Sequence, residues 1–225
     1  IKPMVALAAL HYGVVTPERR VGCRGAYSLP GSRHRYRDWK PEGHGAVDLY
    51  TAIEQSCDVY FYTVARDLGI ERMAGFLTTF GLGDLTGLDI GGEQKGLVPS
   101  PAWKKKAFRR PADQVWFPGE TVNFGIGQGY FLVTPLQLAH YTSILANQGT
   151  SWKPRLVNAV RDPVSGAVRG LAPQKDAEVN ATPEQWHLVM EGMLGALRGR
   201  GTAAATAGRN MTYAIAGKTG TAQVF

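Results

Sequence analysis

After its lysine, the segment Lys2 to Leu10 (KPMVALAAL) is apolar around the whole helical circumference. A helix with no polar face belongs in the middle of a domain, and Gly13 stands ready to stop it. From Val14 to Val47 the periodicity disappears and turn signals take over, with Pro30-Gly31 and Pro41-Glu42-Gly43. So long an irregular stretch is usually functional or pinned by something. Asp48 to Leu68 predicts helix with a break near Ser56, and Ile70 to Phe80 a helix closed by Gly81. Ser100-Pro101 starts a short helix with a cap residue before a proline at the first helical position.

Thr134-Pro135-Leu136-Gln137 is a capping box with the same proline, opening a helix to about Asn147 with Gly149 just beyond. Thr182-Pro183-Glu184-Gln185 repeats the device for a helix carrying Trp186, Val189, Met190, Met193 and Leu197. Trp152 to Val160 and Ala167 to Leu171 predict strands around an Asp162-Pro163 turn. Thr212 to Ala216 and Thr221 to Phe225 are strand-like on either side of Gly217 to Gly220. No internal repeat appears. The expected fold class is α/β (α+β): one domain over residues 1–225 with a buried central helix starting at Lys2. Helices flank a central antiparallel sheet supplied largely by the C-terminal half.

With 225 residues, 44% hydrophobic and 19% charged, the chain supports a sizeable core and is not a disordered sequence. No run of ~18 apolar residues occurs, so no segment of it reads as a membrane span. The net charge of +7 concentrates in Arg19-Arg20, Arg33 to Lys40 and Lys104 to Arg110. A solvated basic face is the plain reading. Nucleic acid is not favoured, because these runs lack the spaced aromatics of a single-strand groove.

Three short pieces carry candidate chemistry: Lys2 at the head of the apolar helix, Ser56-Cys57-Asp58, and Lys218-Thr219-Gly220-Thr221. An amine accepts a proton only when neutral, and an apolar setting, a helix N-terminus and a second cation all favour the neutral form. Lys2 opens an apolar helix, and Lys218 would be the cation. Alone, Lys2 would be an ordinary surface lysine, and Ser56-x-Asp58 an ordinary helix cap. Gly217-Lys218-Thr219 is also the tail of a phosphate-binding loop, but that motif needs glycine where Thr212 stands and a helix where the chain is strand-like. Gly125-Ile126-Gly127-Gln128-Gly129 has the wrong glycine spacing for a dinucleotide fingerprint.

Together, the lysine-proline pair, Ser56-x-Asp58 and the Lys-Thr-Gly-Thr run resemble the class B penicillin-binding proteins, most closely their elongation-type members. The resemblance runs over nearly the whole chain and is weakest between Val160 and Thr212. It implies a peptidoglycan D,D-transpeptidase of the active-site-serine (penicillin-binding) fold, a serine acyltransferase and β-lactam target. Its nucleophilic serine is expected two residues before Ile1, with a membrane anchor and a pedestal domain further upstream. Lys2, Ser56, Asp58 and Lys218 are the expected catalytic set. Lys218, Thr219, Gly220 and Thr221 are expected on an edge strand, holding the terminal carboxylate of a D-Ala-D-Ala stem peptide. The backbone N–H of Thr221 would complete the oxyanion hole, and the glycine element at Gly125 to Gly129 would support the backbone beside the site.

The same resemblance implies the periplasmic face of a bacterial inner membrane, with a membrane glycan polymerase and elongation scaffold proteins as partners. A D,D-carboxypeptidase, a β-lactamase-like hydrolase and a non-catalytic β-lactam sensor remain open alternatives, because water and amine acceptors use much the same residues.

Cys23, Asp38, His44 and Cys57 have the residue types of a closed structural zinc site, although their spacing matches no standard finger. Arg35-Tyr36-Arg37-Asp38-Trp39 and Gly43-His44-Gly45 resemble elongation-type enzymes, some of which bind zinc here. A Cys23–Cys57 disulfide and buried thiols stay open beside it. No cofactor is expected for catalysis. His11, His34, His140 and His187 read as structural or exposed.

Overall fold

In the computed structural model, residues 1–222 are described, and they divide into two compact units. The predicted strand beginning at Thr221 runs into residues 223–225, outside the described ones. No helix among the described residues is long and apolar enough to cross a membrane.

The first unit comprises Ile1–Ala74, Pro99–Gly129 and the chain from Ala181 onward. Its centre is α1 (Lys2–His11), in which every residue from Lys2 to Leu10 is buried. Around it pack α2 (Leu49–Glu54), α3 (Asp58–Leu68) and α8 (Pro183–Gly195). The all-round apolarity of α1 is thus satisfied on three sides, and each fully buried Leu, Val or Met contributes about 1.5–3 kcal/mol. Close backbone approach sharpens this packing. A Cβ on Gly192 of α8 would stand 2.9 Å from Cβ of Ile53, and one on Gly125 would stand 2.4 Å from Cβ of Ala65.

Chain ends and caps follow the expected chemistry. Ser100 accepts from Trp103 N–H at the start of α5 (Pro101–Ala107), and Thr182 with Gln185 closes a full capping box on α8. One helix went unanticipated, α6 (Pro118–Phe124), whose Glu120 carboxylate accepts the Phe117 N–H at 2.7 Å. Its sequence signal was present in Pro118 at the first position and Glu120 at the third. The irregular stretch after α1 holds two small antiparallel ladders: β1 (Val21–Cys23) with β4 (Gly45–Val47), and β2 (Ala26–Tyr27) with β3 (Tyr36–Arg37).

The second unit comprises Gly75–Val98 and Tyr130–Asn180. α4 (Ile70–Thr78) runs across the sequence boundary between Ala74 of the first unit and Gly75 of the second, and Gly81 follows it at φ +77°. α7 (Pro135–Ala146) opens on the Thr134–Gln137 box as expected. β5 (Thr150–Trp152) pairs with β8 (Lys175–Glu178), and β6 (Ala159–Arg161) forms a hairpin with β7 (Val168–Gly170). The single strand expected from Trp152 to Val160 is therefore two. Pro154 has no N–H for a ladder, and the N–H groups of Leu156 and Val157 turn instead to the Asp89 carboxylate at 2.7 and 2.8 Å.

The mixed helix-and-strand class is as expected, but the central sheet is a correction. Among the described residues, strands pair as four two-stranded ladders. Thr212 to Ala216 forms no strand, and Lys218 to Thr221 lies on no sheet edge. β-branched and aromatic composition creates a strand only where a neighbouring backbone offers a ladder. Here Gly217 N–H instead satisfies the carbonyl of Met193, in the last turn of α8, at 3.0 Å.

Candidate active site

Position 56 explains how the first two motifs meet. α2 ends at Glu54 and α3 begins at Asp58, and between them Ser56 takes φ +57°, a left-handed conformation uncommon outside glycine. That reversal turns both oxygens of Ser56 toward the head of α1. Lys2 Nζ donates to the Ser56 carbonyl at 2.8 Å, to Ser56 Oγ at 3.0 Å and to Asp58 Oδ1 at 2.6 Å. Three donors meet three acceptors, so the buried amine leaves no proton unsatisfied. Asp58 sits in the first turn of α3, where the helix field favours a carboxylate. Its other oxygen accepts the Trp39 N–H at 3.0 Å, so the acid is held from two sides.

The third motif lies in the same unit without a strand. Lys218 Nζ donates to the carbonyl and hydroxyl of Thr219 at 3.1 and 3.0 Å. Thr219 Oγ1 also shares a hydrogen bond with Thr202 Oγ1 at 3.0 Å. Burial, and secondarily the charge of Lys2, push Lys218 down to about 7, with Asp58 opposing. The charges of Lys2 and Asp58 both act on Lys218, so the third motif lies within electrostatic range of the first two. Thr221 and Gly220 are exposed, and a Cβ on Gly220 would meet nothing within 4 Å. The glycine opens space rather than relieving a clash.

Two participants were not anticipated. Trp39 fixes Asp58 through its backbone and anchors itself by donating Nε1–H to Gln55 O at 3.0 Å. Its signal was its place beside Asp38 at the end of the Arg35 to Trp39 stretch, which pointed to the metal-ligand cluster and not to Asp58. Gln128, in the glycine element expected to provide backbone support, donates from Nε2 to the carbonyl of Thr221 at 3.3 Å. Its signal was a polar side chain between two glycines, Gly127 and Gly129, both at positive φ.

The four residues with metal-ligand chemistry converge behind Asp58. The ligand atoms of Cys23, Asp38, His44 and Cys57 all lie within 4.8 Å of one another. Cys23 Sγ stands 3.4 Å from Asp38 Oδ2 and 3.5 Å from His44 Nδ1, and Cys57 Sγ is 3.5 Å from Asp38 Oδ2. Both cysteines are free and buried, so the disulfide alternative is not the state of this structure. Burial holds His44 below its ordinary pKa, against the Asp38 carboxylate, and burial pushes the Cys57 thiol up. Asp38 also accepts Val59 N–H at 3.0 Å, tying the cluster to the first turn of α3.

Comparison with known proteins fits this geometry. The family model of the penicillin binding protein transpeptidase domain matches residues 1–225. The peptidoglycan D,D-transpeptidase MrdA of Acinetobacter baumannii is 42% identical over 227 residues, covering 100% of this chain and 32% of that protein. A crystal structure of Pseudomonas aeruginosa PBP2 in complex with WCK 5153 is similar at TM-score 0.86 and 44% identity, over 99% of this chain and 49% of that one. PBP2 of Helicobacter pylori, in a complex with MreC, is similar at TM-score 0.83 and 31% identity, over 99% of this chain and 39% of that one. The chain thus spans about a third of the curated relative's length.

Proposed function

Since the chain belongs to the penicillin-binding protein transpeptidase family, we propose that it is the catalytic core of an elongation-type peptidoglycan D,D-transpeptidase. The observation that carries this assignment is the Lys2–Ser56–Asp58 constellation, with Lys218 close enough for its charge to respond to Lys2. The nucleophile is the serine that the motif requires three positions before Lys2, upstream of Ile1.

In the proposed reaction Lys2 acts in its neutral form, with one of its three protons given up beforehand: the serine hydroxyl attacks the penultimate D-Ala carbonyl of a stem peptide and yields its proton to that free amine. Asp58 holds that amine in place, because its own carboxylate is clamped by Trp39 N–H. As the tetrahedral intermediate collapses, the C–N bond breaks and the Ser56 hydroxyl passes the proton to the departing D-alanine amine. A stem-peptide amine then attacks the acyl-enzyme, its proton returns along the same relay, and the serine is regenerated. Lys218, with the hydroxyls of Thr219 and Thr221, binds the substrate's terminal carboxylate. The backbone N–H of Thr221 contributes to the oxyanion hole, an interaction commonly giving about 3 kcal/mol of transition-state stabilisation. Gln128 steadies that backbone through its bond to the Thr221 carbonyl. A β-lactam presents the same carboxylate and carbonyl and is trapped at the acyl stage.

The proposal extends to a structural zinc at Cys23, Asp38, His44 and Cys57. Ligands at about 2.0–2.3 Å from a tetrahedral ion stand roughly 3.3–3.8 Å apart; the Cys23–Asp38, Cys23–His44 and Cys57–Asp38 separations of 3.4, 3.5 and 3.5 Å fall in that range, within a cluster whose ligand atoms all lie within 4.8 Å of one another. The ion would stabilise the two thiolates and lock the stretch from Cys23 to His44 against α3. A site on the periplasmic face of the inner membrane is part of the same proposal. So is work beside a membrane glycan polymerase and elongation scaffolds, supported by the Helicobacter pylori PBP2 complex with MreC.

Labelling of the full-length protein with fluorescent penicillin tests the assignment, followed by cross-linking of lipid-linked substrate. Covalent label and dimeric stem peptides are expected. Label without cross-links would move the protein to the hydrolases or sensors, and absence of label would remove it from the acylating enzymes.

A further inference from the structure

The basic run at Arg33 to Lys40 takes no part in the proposed acyl transfer beyond Asp38 and Trp39. Its arginines nevertheless have a defined place. A cavity of about 490 Å³ is lined by Arg33, His34, Arg35 and Arg37, with Gly25 and Pro41 across from them. Tyr36, between the arginines, packs against Tyr27 and Tyr62 with ring centroids 6.3 and 5.7 Å away. These ring contacts anchor the half-buried Tyr36, while Arg33, Arg35 and Arg37 on either side of it are exposed and line the cavity. The Tyr62 hydroxyl donates to the Arg37 carbonyl at 3.1 Å, and Asp38 N–H donates to Gly25 O at 2.9 Å. Gly25 holds φ +82°, and a Cβ there would stand 1.8 Å from the Pro41 carbonyl oxygen. Close backbone packing therefore fixes the wall at Gly25 and Pro41.

The three arginines of this cavity outnumber its one acid. Among the described residues, no carboxylate forms an ion pair with Arg33, Arg35 or Arg37, whereas Arg19, Arg66 and Arg110 each have one. The single acid in the lining, Asp38, is buried and already accepts Val59 N–H and Lys40 N–H. Three like charges around one volume repel each other until an anion enters. A lone carboxylate would neutralise only one of them, and a phosphate monoester carries about −1.5 to −2 at neutral pH. A diphosphate supplies more charge in a compact volume, with oxygens that match guanidinium forks.

We propose that this arginine-lined cavity is an anion site for a diphosphate group, either free or as the link between a sugar and a polyprenyl lipid. The site for the diphosphate rests on the arginine cluster, and the lipid-linked source rests on the transpeptidase reading above.

Calorimetric titration of the full-length protein with inorganic pyrophosphate tests the site, with orthophosphate and citrate in parallel. Saturable one-to-one binding of pyrophosphate is expected, at least tenfold tighter than either comparison anion and weakened by salt. The triple variant R33Q/R35Q/R37Q should lose it. K106Q/R109Q/R110Q, with the same loss of three basic charges elsewhere, should keep it, and circular dichroism of both reports whether the fold survives. If the triple variant fails to fold, R35Q alone should weaken binding several-fold. Competition against bound pyrophosphate by a detergent-dispersed polyprenyl diphosphate assigns the lipid-linked source, and competition by a soluble nucleoside-diphosphate sugar alone assigns the soluble one. Equal binding by folded variant and parent, citrate binding as tightly as pyrophosphate, or no saturable binding overturns the proposal. Penicillin labelling is unaffected by that failure, so the two conclusions fall separately.

Discussion

Ser56 offers two oxygens to the single ammonium of Lys2, the carbonyl at 2.8 Å and the hydroxyl at 3.0 Å. Both reach it because the backbone at Ser56 reverses at φ +57° between two helices. A left-handed non-glycine residue costs of order 1–3 kcal/mol, held by the surrounding packing. Strain and proton relay thus reside in one residue and can be separated by substitution.

Ser56→Ala and Ser56→Gly should both slow acylation by about 10²–10⁴-fold, since each removes the relay hydroxyl. Their stabilities should diverge. Glycine adopts positive φ without the Cβ penalty, so Ser56→Gly should unfold later than Ser56→Ala, by about 1 kcal/mol in denaturant titration. Equal stabilities would mean that the reversal is not strained.

Asp58→Asn should affect both fold and chemistry. The Lys2 and Asp58 side chains are only 10% and 14% exposed, and removing one partner of a well-buried pair typically costs about 3–5 kcal/mol. Stability should fall in that direction, lessened by the remaining exposure, with acylation slowed at least tenfold in stopped-flow penicillin labelling. An isostructural, fully active Asn variant would remove the carboxylate from the mechanism.

Activity should fall as pH rises through about 7, the value to which burial and then Lys2 depress Lys218. Only protonated Lys218 attracts a substrate carboxylate, so the descending limb belongs in kcat/KM for acylation. Lys218→Arg should displace that limb upward. Stability moves the opposite way. Below about 7 both folded and unfolded lysine are charged. Between there and the unfolded value near ~10.4 the unfolded chain holds the extra proton, so stability rises with pH.

Purified protein should contain about one zinc per chain, by elemental analysis, and chelation should lower the melting temperature while exposing two reactive thiols. Cys57→Ser should lower zinc content and melting temperature together. Zinc-free protein with no reactive thiol would retire the site.

Much of the local structure was legible before any coordinates. The Thr134 and Thr182 boxes, Ser100-Pro101 and the break at Ser56 are short-range chemistry, in which a cap or a turn depends on residues within a few positions. The buried helix was equally plain, because a segment without a polar face has nowhere else to go. The strand-like composition of Thr212 to Ala216 misled for the converse reason: pairing needs a partner that composition does not name.

The sequence by itself determined which residue types could serve: an amine, a hydroxyl with an acid two positions on, a Lys-Thr-Gly-Thr run, and four metal-ligand side chains. It also determined the caps and the central helix, since those follow from neighbours along the chain. Tertiary structure alone decided that Lys2 would meet Ser56 and Asp58, that Trp39 would clamp the acid, that Gln128 would reach Thr221, and that three arginines would share one cavity. Those contacts join positions far apart in the chain. Their geometry depends on how the elements pack, which no local pattern encodes.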